Sequence, residues 1–255
     1  MDRDKDNLIR HHALHTPSAI RARLASGPDH SYLRDFTFGA IDGLVTTFAM
    51  VAAVAGADLS PTIVIIVGLA NVLADGFSMA VSNFLGVRAD QKLLQQARRS
   101  EEAHIRLYPE GEREEIRQIL MRKGFAGEDL NRAVDVITSD LQRWVDTMLT
   151  EELGLALHRA SAWRAALATF VAFVFIGLVP LVPFLMPLQA LLGLSPFAVS
   201  AAGTALAFFL VGAFRARFTE EKWPVSGLET LAVGGTAAFL AWLVGALLKD
   251  ILPSG

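Results

Sequence analysis

Residues 36–87 read FTFGAIDGLVTTFAMVAAVAGADLSPTIVIIVGLANVLADGFSMAVSNFLGV and carry only three charged side chains, Asp42, Asp58 and Asp75. A helix that crosses a bilayer needs about 20 mostly apolar residues. This stretch holds two, Phe36–Gly56 and Thr62–Val87, joined by the turn Ala57–Pro61. So short a connection predicts a tight antiparallel hairpin. Further along, residues 165–214 contain no charge at all. They supply two more spans, Ala165–Met186 and Pro196–Phe214, and Val225–Leu248 supplies a fifth. Residues 88–160, by contrast, are dense in charge.

The bulk composition is therefore an average of two materials. The 255-residue chain is 53% hydrophobic and 19% charged, with a mean hydropathy of +0.41. A soluble chain is nearer 45–50% apolar and about one quarter charged. Blocked hydrophobicity of this kind excludes a disordered chain, a nucleic-acid binder and an ordinary soluble enzyme. The expected fold class is an all-α membrane protein, with five transmembrane helices and a three-helix cytoplasmic metal-binding insert between spans 2 and 3. The expected division is a tail at 1–34, spans 1 and 2 at 35–88, the insert at 89–160 and spans 3 to 5 at 161–255. The absence of cysteine excludes disulfides, thiolate metal sites and thiol nucleophiles.

Lys and Arg favour the cytoplasmic side of a membrane. The tail, the insert and the 215–224 loop together hold 22 of the 23 basic residues, and Lys249 alone falls on the other face. The N-terminus and insert are thus expected in the cytoplasm and the C-terminus outside. Residues 1–34 lack the apolar core of a signal peptide, and a bacterial cell membrane is the expected home. His11, His12 and His15 in this tail read as solvated side chains.

Ionisable groups at bilayer depth are expensive and mark sites by default. Asp42 lies in span 1, Asp75 in span 2 and Glu229 about one turn inside span 5. Asp35, Gly39, Asp42, Thr46 and Met50 recur at helical spacing and share one face, as do Asn71, Asp75 and Met79 on span 2. The short hairpin lets the two stripes face each other. Carboxylate and amide oxygens with thioether sulfur suit a transition-metal cation better than Ca²⁺ or Mg²⁺. Proton carriage by either aspartate is equally allowed, and so is a hydrogen-bonded helix contact.

The insert reads as three helices: Asp90–Leu107 continuing from span 2, Glu110–Lys123, and about Asp129–Leu153. Its acids cluster at Glu101 and Glu102, at Glu110, Glu112, Glu114 and Glu115, and at Glu151 and Glu152 beside Met148. Glu101 and His104 form a Glu-x-x-His pair, which sets two ligands on one helix face. Plain solvation, with pairing to the many arginines, explains acidic helix faces as well.

The runs Asp35-Phe36-Thr37-Phe38-Gly39-Ala40-Ile41-Asp42-Gly43-Leu44, Gly68-Leu69-Ala70 and Gly76-Phe77-Ser78-Met79-Ala80 resemble the vacuolar iron transporter family. So do Gly177-Leu178-Val179-Pro180-Leu181-Val182-Pro183 and the Glu-Leu-Gly-Leu run at 152–155. The resemblance implies a homodimer that moves Fe²⁺, sometimes Mn²⁺ or related ions such as Zn²⁺, out of the cytosol in exchange for protons. No permanently bound cofactor is expected, and the partners are the cations, protons and the lipid bilayer. The resemblance places the path at the dimer interface with Asp42 and Met79 on it, and Asp35 as an acid nearer the cytosol. It also implies metal collection by Glu101, Glu112, Glu115, Met148 and Glu152. Four positions depart from the family: Ser31 and Asn71 stand where plant-type members carry glutamate, His104 where Glu is usual, and Leu149 where a second Met is. Asp75, one turn after Asn71, reads as a further pathway carboxylate. Two other readings share these residues: a membrane-anchored ferroxidase using Glu101, His104 and the insert carboxylates, and a metal sensor or scaffold whose spans only anchor it. A second Glu-x-x-His is missing from the sequence, which weighs against the ferroxidase.

Overall fold

The computed structural model describes residues 13–26, 31–157, 160–186, 193–219 and 221–251; His11 and His12 lie outside them. Every regular element among these is helical: α1 Pro17–Ser26, α2 Leu33–Gly56, α3 Pro61–Leu107, α4 Pro109–Arg122, α5 Gly127–Thr138, α6 Leu141–Thr147, α7 Ala162–Gly177, α8 Val182–Leu185, α9 Pro196–Thr219 and α10 Trp223–Ile251. A π-helical turn, Met148–Glu152, follows α6, and a 3₁₀ turn, Val179–Leu181, joins α7 to α8. The chain forms two compact units. One holds residues 1–30 and 88–160, the other residues 31–87 and 161–255.

Five segments are long and apolar enough to cross a membrane: α2, α3, the run Ala162–Leu185, α9 and α10. Large apolar side chains stand exposed on them, including Ile66, Leu73 and Phe77 on α3, Leu206 and Leu210 on α9, and Leu240 and Leu247 on α10. Water would not tolerate so much exposed hydrocarbon, but lipid does. This is a multi-pass membrane protein. The third span is broken near its end, where Pro180 and Pro183 interrupt the helical ladder.

Glycines set the packing of the membrane unit. A Cβ on Gly39 would lie 2.4 Å from the carbonyl oxygen of Thr169 on α7, and one on Gly43 would lie 2.6 Å from that of Phe173. Without those methyls the backbones of α2 and α7 touch, as small residues allow in membranes. On its other side α2 packs closely on α10. Spans 1 and 2 face each other, as the short turn between them leads one to expect, but the closest backbone approaches of α2 are to spans 3 and 5. Span 1 spends its small-residue face on spans 3 and 5, and Gly39 turns to α7 rather than to α3. Toward α3 it presents longer side chains, so contact runs through those: Leu44, Phe48 and Val51 share an apolar cluster with Val64 and Val72.

α3 continues unbroken through 47 residues, since neither Gly nor Pro falls between Arg88 and Tyr108. Beyond it, the helix expected over about 129–153 is split. Asp140 adopts an extended conformation and accepts a hydrogen bond from the Arg143 backbone N–H at 2.8 Å. An aspartate that caps a new helix competes with continuation of the old one. The insert's apolar core gathers Ile116, Ile119 and Leu120 of α4, Leu130 and Val134 of α5, and Trp144, Val145, Met148 and Leu149.

Candidate metal centre

α3 ends at Leu107 because Tyr108 precedes Pro109 and leaves the helical region (φ −143°, ψ 66°). Pro109 then opens α4, where its missing N–H costs nothing. The Tyr108 ring lies against Gly111, whose absent Cβ would sit 2.3 Å from the ring. This tight corner turns Glu112, on the first turn of α4, back toward Glu101 and His104 on the last turns of α3. His104 Nδ1 lies 3.6 Å from Glu112 Oε1 and 4.0 Å from Glu101 Oε1. One ligand atom from each of the three falls within 4.8 Å of the others. Atoms bound to one transition-metal ion at about 2.1 Å sit at comparable separations.

The insert's acids divide into two groups. Glu102 pairs with Arg106 at 3.9 Å, Glu114 with Arg117 at 3.3 Å, and Glu151 with Lys123. Glu101, Glu112, Glu115 and Glu152 meet no Lys or Arg among the described residues. They meet one another. Glu112 is only 8% exposed, and its Oε2 is buried without a hydrogen-bond partner among the described residues. Burial first, then Glu115 and Glu101, push its carboxyl up to about 7. Burial also raises Glu101, with His104 opposing and Glu115 adding to the shift. Glu152, on the π turn, is raised by desolvation and then by Glu115 and Glu101. Solvated faces paired with arginine do not look like this. The set is a charge-excess cluster with an imidazole at its centre, and such oxygen and nitrogen donors fit a divalent transition cation. Met148 is fully buried in the insert's apolar core, while Glu115 and Glu152 are exposed.

In the membrane unit the two polar stripes do face each other. Asn83 Nδ2 donates to Asp35 Oδ1 at 2.9 Å, Asp42 and Asp75 lie within electrostatic reach, and the Met50 methyl sits 2.8 Å from where a Cβ on Gly68 would be. Moving up one helix moves down the other by a like step, the mark of an antiparallel register. Met79 and Asn71 lie on the α3 stripe, both half-buried. Asn83 was missed by the sequence reading, although it is the next member of the series 71, 75, 79. Glu229, the third intramembrane acid, has a different role: it forms an ion pair with Arg215 of α9, which also donates to Ser226 Oγ at 3.1 Å. Lys249 likewise pairs with Asp58 at 3.0 Å.

A model of the VIT family matches residues 33–246. The chain belongs to the VIT family. Its relatives include the vacuolar iron transporter of Plasmodium berghei (strain Anka), 31% identical over 228 residues, which span 87% of this chain and 84% of the relative. The vacuolar iron transporter of Toxoplasma gondii (strain ATCC 50861 / VEG) is 32% identical over 228 residues, 87% of this chain and 76% of the relative. Vacuolar iron transporter 1 of Arabidopsis thaliana is 28% identical over 218 residues, 85% and 86% of the two chains. The VIT match takes in both polar stripes and the whole insert cluster.

Proposed function

We propose that this protein exports a divalent transition cation from the cytosol, Fe²⁺ foremost and Mn²⁺ or Zn²⁺ as related cargo, in exchange for protons. The observation that carries this reading is the pair Asp42 and Asp75, set within reach of each other on two membrane helices and met by no cation among the described residues. An anchor has no use for two such carboxylates, and an enzyme confined to the insert leaves them unexplained. The relatives' names, which give iron as cargo, support the choice of metal. Asp42 and Met79 pass the ion, Asp35 receives it on the cytoplasmic side, and Asp75 serves as a further ligand or proton carrier. Glu101, His104, Glu112, Glu115 and Glu152, with Met148 beneath them, gather the ion beforehand. The N-terminus and insert face the cytosol, as the basic residues require, in a homodimer seated in a bacterial cell membrane.

Reconstituted protein in liposomes with a pH difference across the membrane tests the proposal. Fe²⁺ is expected to move against the proton gradient, with no oxygen consumption above background. Undiminished flux in Asp42→Ala removes the central claim, and flux indifferent to the pH difference removes the proton coupling.

A further inference from the structure

The turn between α9 and α10 closes a groove of about 470 Å³, lined by Ala216, Arg217, Glu221, Lys222, Trp223 and Pro224 and by no residue of the ligand sets above. Its place follows from the topology. Four spans precede the turn, so it lies on the side of the membrane from which the chain enters α2. Three basic side chains stand at this end, Arg215, Arg217 and Lys222, and the structure divides them. Arg215 is engaged: it pairs with Glu229 and, at 3.5 Å, with Glu221, the acid that lines the groove. Arg217 and Lys222 also line the groove, are exposed, and meet no carboxylate among the described residues. Arg215 thus answers the groove's acid, and Arg217 and Lys222 remain for a ligand.

The rest of the groove suits the head of a lipid better than a soluble anion. Trp223 stands 61% exposed at its wall and meets the Phe209 ring edge-on, with centroids 6.0 Å apart. Tryptophan at the end of a span favours the head-group layer of a membrane. Near it Val225 and Leu228 are exposed on α10, and Phe214 and Phe218 on α9, all apolar surface for acyl chains. Basic pockets between membrane helices recognise anionic head groups. A soluble phosphate would gain from the two cations and nothing from the hydrocarbon beside them.

We propose that the α9–α10 turn is a binding site for one anionic phospholipid, whose phosphate is held by Arg217 and Lys222 beside Trp223. The inference is independent of the cargo. Native mass spectrometry of the full chain in detergent, titrated with dioleoylphosphatidylglycerol or with dioleoylphosphatidylcholine, tests it. Phosphatidylglycerol is expected to bind about 30-fold more tightly, the worth of two basic side chains beside an anionic head group. Arg217→Gln with Lys222→Gln is expected to remove that preference, and Lys222→Gln alone to reduce it about fivefold. Arg122→Gln with Arg132→Gln takes the same charge from exposed positions of the insert and is expected to leave the preference intact. An equal loss in the two double variants marks diffuse attraction to a basic face and overturns the proposal, as does a wild-type protein that binds both lipids alike. Inorganic phosphate, against a chloride control of equal ionic strength, is expected to leave the lipid bound. Displacement by phosphate alone would make a soluble anion the ligand and overturn the lipid assignment.

Discussion

Carboxylates are treated in opposite ways in the two units of this protein. In the membrane unit the acids of the facing stripes are spread along the helices: Asp35 accepts from Asn83 Nδ2 at 2.9 Å, and Asp42 and Asp75 lie within electrostatic reach of each other further along. In the insert, acids are crowded until burial and mutual repulsion lift Glu112 to about 7. The membrane unit is tuned for transit, since an ion that binds too well does not leave. Under the proposed function the insert serves capture, because crowded carboxylates are relieved by a proton or a cation.

The sharpest way to break this comparison is to remove one acid from each unit. Asp75→Ala is expected to abolish flux above that of empty liposomes while metal binding to the insert stays intact. Glu112→Gln is expected to do the reverse. Affinity measured by titration calorimetry falls by about 100-fold, the upper end of what even supporting groups contribute to a metal site, while flux at saturating Fe²⁺ persists. Equal effects of the two variants would erase the distinction.

A pH series sharpens it. The folded Glu112 carboxyl titrates near 7 against an ordinary value of 4.5. The folded state thus holds a proton that the unfolded chain has already released, and this stabilisation is present at low pH and lost as pH rises through about 7. Metal-free protein should accordingly unfold at higher temperature as pH falls from 7 toward 4.5, as far as this group is concerned. Metal affinity should fall about tenfold per pH unit over the same range, because the ion must displace the proton. Thermal unfolding with and without metal measures both.

Packing tests the comparison at smaller scale. Gly39→Ala pushes a methyl into the Thr169 carbonyl and is expected to cost about 1–3 kcal/mol, as overpacking does. Ile116→Val in the insert core should cost about 0.5–1.5 kcal/mol. Denaturant titration of the purified variants ranks them. Smallest of all is Glu229→Gln, which loses only an exposed pair with Arg215, and should change stability by less than about 1 kcal/mol with flux unchanged.

Much of this was legible in the chain. The five spans follow from apolar length, and the polar stripes follow from helical spacing. The Glu-x-x-His pair pointed to the cluster on α3. Four features were not legible. Closeness of α2 to α7 rather than α3 depends on which face Gly39 and Gly43 present, and spacing alone does not fix that. The break at Asp140 required knowing that a capping aspartate wins over helix continuation. Asn83 looked like one more polar residue near a membrane boundary until Asp35 and Thr169 were placed beside it, and Glu112 joined His104 only through the corner at Tyr108 and Pro109.

In the proposed exchange, Asp42 and Asp75 also imply a charge balance. Two carboxylates carry two negative charges, and one dication cancels them as completely as two protons do. Exchange of one for the other moves no net charge across the bilayer. A membrane potential is worth about 2.3 kcal/mol per charge at 100 mV, and such an exchange neither gains nor loses by it. A cell could then run this protein from acidity alone, whatever its voltage.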